Sequence, residues 1–127
     1  MKTVVLDMQS QLYAKAIRRI LVQELESCQT VISRKPDETA AECRVLKPRA
    51  LLMEVTGYTP WKLSERLAIR DEVKSAVPDC KIVLIVDDNA DRALAEQVKR
   101  AKQDGLIDAF LFTSATESYM AAVVDSL

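Results

Sequence analysis

Histidine is missing from all 127 residues, and glycine occurs only at Gly57 and Gly105. The first absence excludes Ser-His-Asp and Cys-His nucleophilic catalysis and disfavours a zinc centre of the usual ligand types. The second leaves no material for a G-x-G-x-x-G turn or a P-loop after any strand. Cys28, Cys43 and Cys80 are far apart and odd in number, which suits a reducing cytoplasm and a role as small apolar fillers. The only apolar stretch at the start, within MKTVVLD, is too short for a signal peptide. Charge of one sign is lacking too. Eighteen basic residues face 19 acidic ones for a net −1, and no basic block argues for nucleic-acid or membrane binding by this domain.

What is present is a chain of one-domain length that can bury a core without disulfide or metal. Thr3-Val4-Val5-Leu6 is a buried strand ending on Asp7. Ser10 is placed to cap a helix whose apolar face is Tyr13, Ala16, Ile17, Ile20, Leu21 and Leu25. Residues 29–33 read as a second strand, and Pro36-Asp37-Glu38 opens a short helix that Lys47-Pro48 ends. The stretch Pro48–Trp61 is central. Its strand, about 49–55, carries Ala50-Leu51-Leu52-Met53 and delivers Glu54 to a loop with Thr56, Gly57, Tyr58, Thr59 and Pro60. A helix over 62–76, a strand over 81–86 ending at Asp87-Asp88, and a helix capped by Asn89 and closed at Gly105 follow. The last strand covers 108–112, and Ser114-Ala-Thr-Glu117 fits a capping box for the final helix.

Strand and helix alternate five times, which predicts an α/β fold over 1–127. The expected sheet is doubly wound, five-stranded and parallel in the order 2-1-3-4-5, the flavodoxin-like arrangement, with two helices on one face and three on the other. Its topology gathers Asp7, Glu54 and Asp87 at one rim.

Five βα units with acids ending strands 1 and 3 resemble the CheY-like receiver domain of two-component response regulators. The resemblance assigns roles by position. Asp7 and Met8 stand where receivers carry two adjacent acids that hold Mg²⁺. Glu54 stands at the phosphorylated aspartate, Val86 at the Thr or Ser that bonds the phosphoryl group, and Thr113 near the lysine that ends strand 5. One of these five positions keeps its family residue and one is a longer homologue. A thioether is a poor magnesium ligand, glutamate displaces the nucleophile by about an ångström, and no lysine supplies a fixed cation. Asp7 and Glu54, if close, would repel each other with no metal between them.

The resemblance therefore implies a degenerate receiver: a cytoplasmic, non-enzymatic signalling domain with no cofactor and little or no Mg²⁺ binding. It would act on a kinase or output protein without phosphorylation. Glu54 would be a mimic of phospho-aspartate or a solvated carboxylate without a role. Two other readings stand beside it. One is an active, phospho-accepting receiver, including one trimmed from a DNA-binding response regulator; the other is a flavodoxin-like nucleotide or flavin binder using Thr56-Gly57-Tyr58-Thr59. Tyr58 and Trp61 are two of six aromatic residues. Trp61 is expected to plug the start of the third helix, with a lid or partner contact as the functional alternative for both. A homodimer or protein contact is expected on the last two helices and last strand, with Ala121 and Ala122 on the outer side of the last helix.

Overall fold

The computed structural model describes residues 2–127. Its elements are β1 (Lys2–Asp7), α1 (Gln11–Glu24), β2 (Cys28–Ile32), α2 (Pro36–Leu46), β3 (Ala50–Val55), α3 (Leu63–Ala76), β4 (Lys81–Val86), α4 (Arg92–Gln103), β5 (Ala109–Phe112) and α5 (Glu117–Asp125). The sheet order is β2-β1-β3-β4-β5 and every pairing is parallel, as the alternation predicts. The central strands are apolar on both sides because both faces are covered. Val5, Leu51, Met53, Ile82 and Leu84 pack with residues of α2, α3 and α4. Val4, Leu6, Leu52, Val83 and Ile85 pack with residues of α1 and α5. No helix among the described residues is long and apolar enough to cross a membrane.

Local chemistry sets most element ends. The Ser10 side chain accepts from Tyr13 N–H and caps α1, and Pro36 occupies the first turn of α2. Gly105 has φ +77, a left-handed conformation suited to glycine just beyond α4. Three expectations are corrected. Asn89 does not cap α4: Asp87 Oδ1 accepts from the N–H groups of Asn89 and Ala90, and this turn defers the helix until Asp91 caps it. Ser114 does not cap α5 either. Ala115 N–H closes a turn onto Phe112 C=O, and Thr116 takes the cap by accepting from Tyr119 N–H. Ala121 is buried, so of the expected alanine pair only Ala122 lies on the outer surface.

Candidate functional site

The carboxyl ends of β1, β3 and β4 meet at one rim, where register pairs Asp7 with Met53 and Glu54 with Ile85. The two acids separate there. Side-chain alternation sends Asp7, like Val5, toward α2 and α3. Glu54, like Leu52, belongs to the side covered by α1.

Asp7 is 2% exposed and is met by Arg66, which is fully buried. Arg66 Nη1 donates to Asp7 Oδ2 at 2.7 Å, and Nη2 to Asp7 C=O at 3.0 Å and Oδ1 at 3.3 Å. Its Nε donates to the backbone C=O of Glu54 at 2.8 Å. Thr39 Oγ1 also donates to Asp7 Oδ2 at 2.7 Å, and Ser33 Oγ lies 2.7 Å from Thr39 Oγ1. One buried network thus ties α3 to β1 and β3, and α2 to β1. A desolvated guanidinium needs such complete pairing, since an unmatched buried charge is strongly unfavourable.

Glu54 is half-buried and turns to the start of α1. Its Oε1 accepts from Gln9 N–H at 2.8 Å and Ser10 N–H at 3.2 Å. A carboxylate there meets both the unpaired amides and the positive end of the helix dipole. Met8 does not face this rim: it is 3% exposed and packs into the α1 side of the core with Leu6 and Ala14. Val86 is buried at the end of β4, and Thr113 follows β5 with its N–H bonded to Val86 C=O at 3.1 Å.

Above Glu54 lies a cleft of about 470 Å³ lined by Gln9, Val55, Thr56, Gly57, Tyr58, Val86, Asp87, Ala90, Asp91 and Leu94. Its lining includes three carboxylates and no basic side chain. Tyr58 stands 72% exposed at its edge. Trp61 is half-buried and closes the loop, its N–H on Tyr58 C=O and its C=O receiving Thr56 N–H. Tyr13 comes from below. Burial, and then the charges of Glu54 and Asp87, push its hydroxyl up from 10.0 to about 12. Its oxygen is buried without a hydrogen-bond partner. No three carboxylates or thiols among the described residues are placed to hold a metal ion.

The sequence reading missed Arg66, Thr39 and Ser33. One signal was available for Arg66: it sits between Leu63, Leu67 and Val73 on the inward arc of its helix, where an arginine needs a buried acid.

Solved structures share this architecture over nearly the whole chain. A receiver domain protein (CheY-like) from Methanospirillum hungatei superposes with TM-score 0.78 at 10% identity, covering 99% of this chain and 92% of that one. The chain has the receiver fold. A CheY-like protein (tadZ) from Pseudomonas aeruginosa gives TM-score 0.75 at 18% identity, covering 99% and 98%. A response regulator from Thermotoga maritima gives 0.76 at 15%, covering 99% and 96%. No protein-family model and no curated protein matches the sequence. At these identities the likeness is one of fold.

Proposed function

We propose that this is a receiver-like signalling domain that works by protein contact in one fixed state, without phosphate, metal or enzymatic activity. The observation that carries it is the Arg66–Asp7 pair. Arg66 brings a tethered cation to the acid that ends β1, and its bonds leave Asp7 Oδ2 shared with Thr39. A magnesium ion would have to displace a buried guanidinium to reach Asp7. Glu54 is held by two backbone N–H groups, and Met8 lies in the core. This donor set does not fit Mg²⁺, which requires several hard oxygens in octahedral array. The cleft over Glu54 also opposes a phosphoryl dianion, because its lining is acidic and lacks a cation.

Glu54 on this reading is an anchor for α1 rather than a copy of phospho-aspartate. The partner, a kinase or an output protein, would meet α4, β5 and α5, where Tyr119 is 58% exposed and Ala122 offers close approach. Incubation with acetyl phosphate and Mg²⁺, followed by intact mass, should show no adduct. Beryllofluoride should leave the amide resonances of residues 54–58 and 86–89 in place. Glu54→Asp should change neither result, since Arg66 and the missing lysine remain. A stable phosphoprotein from that single change would establish the active-receiver reading instead. A flavin that loses fluorescence on titration with the protein would favour the flavodoxin-like reading, for which the Thr56–Thr59 loop is the only support.

A further inference from the structure

β2 is an edge strand with an unprotected outer side. In a parallel ladder alternate residues of a strand bond one neighbour. Lys2 N–H donates to Ser27 C=O and Ser33 N–H to Leu6 C=O, so the odd-numbered residues of this segment serve β1. Cys28, Thr30 and Ile32 therefore turn their N–H and C=O groups outward. The usual edge defences are lacking: CQTVI contains no charge and no proline, and its register with β1 runs without a bulge. The opposite edge, β5, is four residues long, and Lys99 lies 5.9 Å over its Phe112 ring.

Charges flank β2 asymmetrically. Glu24 and Glu26 precede it and Arg34 follows it, all exposed, while the neighbouring Lys35 pairs with Glu38 at 3.8 Å. Beside it, between β2 and α2, runs a groove of about 650 Å³ with an apolar floor of Val31, Ile32, Ala41, Val45 and Leu46 and a charged rim of Arg34, Glu38 and Glu42. Val45 is 81% exposed and Leu46 39%.

We infer that the occupant of this edge is a second copy of the chain, paired antiparallel through β2 about a two-fold axis at Thr30. Centring on Thr30 brings all three outward-turned residues into hydrogen-bonded pairs, where an axis at Gln29 or Val31 would pair only two. Thr30 exchanges both backbone bonds with Thr30 of the second copy, and Cys28 pairs with Ile32 of that copy. Antiparallel pairing in this register sets Glu26 of one copy opposite Arg34 of the other, whereas parallel pairing would set acid beside acid. The axis stands perpendicular to the sheet, so both α2 helices lie on the same side and turn Val45 and Leu46 toward each other. The product is a continuous ten-stranded sheet that covers the β2 edge of each copy, ends on β5 at both sides and leaves the α4–β5–α5 face free.

Sedimentation of the full chain into the high micromolar range should show a concentration-dependent species of twice the chain mass. Thr30→Pro removes the outward N–H but no bond to β1, and should give a monomer with an unchanged circular dichroism spectrum. Arg34→Glu should weaken the dimer at least tenfold, and adding Glu26→Arg to it should restore association. Ala122→Arg should have no effect. The inference is overturned if the wild-type chain stays monomeric throughout, or if Ala122→Arg alone dissociates the dimer. It is also overturned if Arg34→Glu leaves association unchanged, which decides the matter even where Thr30→Pro fails to fold. None of these outcomes bears on phosphate, so a failure here is distinct from a failure of the signalling proposal.

Discussion

Arg66 Nη1 lies 2.7 Å from Asp7 Oδ2, and both side chains are shielded from solvent. The pair joins the end of β1 to the first turn of α3, at the carboxyl-end rim of the sheet. Its stability consequences follow from what each partner leaves behind. Arg66→Met strands a buried carboxylate and should cost about 3–5 kcal/mol in urea unfolding. Asp7→Leu strands a guanidinium and should cost about as much. The double variant should recover most of the loss, because neither charge is then buried unpaired. A double variant as unstable as the sum of the singles would mean that the two groups do not act as a pair.

How far the sequence discloses this molecule differs between its parts. The five strands are legible because β3 and β4 are continuous apolar runs that nothing else explains, and their ends fall within a residue of expectation. The helix caps are less legible. Asp87, Asn89 and Asp91 can each cap, as can Ser114 and Thr116, and which one does depends on a turn that only the assembled rim defines. The site is least legible. The resemblance fixes attention on Asp7, Met8 and Glu54 as a rim of exposed chemistry, yet Met8 belongs to the core and Asp7 to a buried network. Charge suggests that Arg66 is a surface residue. Only its place on the helical arc suggests otherwise, and no sequence pattern names its partner 59 residues away.

Tyr13 should report the charge of this rim. Its hydroxyl is pushed up from 10.0 to about 12 by burial, with Glu54 and Asp87 adding to the effect. The folded chain thus holds this proton more tightly than the unfolded chain. The stability Tyr13 contributes is complete below pH 10 and is lost as pH rises toward 12. Ultraviolet titration should show a late phenolate component that Tyr13→Phe abolishes. If Tyr13→Phe removes an early component instead, the hydroxyl is more solvated than its burial indicates.

The thiols divide by depth. Burial pushes Cys43 up to about 12, with Cys80, Glu42 and Asp7 adding, and Cys80 up to about 11 against the opposing charge of Lys74. Both are wholly buried, whereas Cys28 is half-exposed. A thiolate-selective reagent at neutral pH should therefore modify Cys28 first, and Cys43 and Cys80 only at the rate of unfolding. Mass analysis of Cys28→Ser should find the native protein almost unlabelled. Rapid single labelling of that variant would show that one core thiol opens without global unfolding.

Glu54 provides the sharpest separation between an anchor and a phosphate mimic. Its Oε1 receives Gln9 and Ser10 N–H, ahead of the first turn of α1. Glu54→Gln keeps an acceptor oxygen but loses the charge that faces the helix dipole, so it should cost about 1 kcal/mol. Glu54→Ala loses both and should cost about 2 kcal/mol. Hydrogen exchange should place the change at residues 9–14, with the amides of α4 and β5 protected as before. A mimic would behave differently: neutralising it would shift the α4–β5–α5 face toward another conformation, with little effect on α1. Comparing exchange at those two places in Glu54→Gln decides between the roles. Faster exchange confined to α4 and β5 would end the anchor reading, and a domain held by phosphate mimicry would take its place.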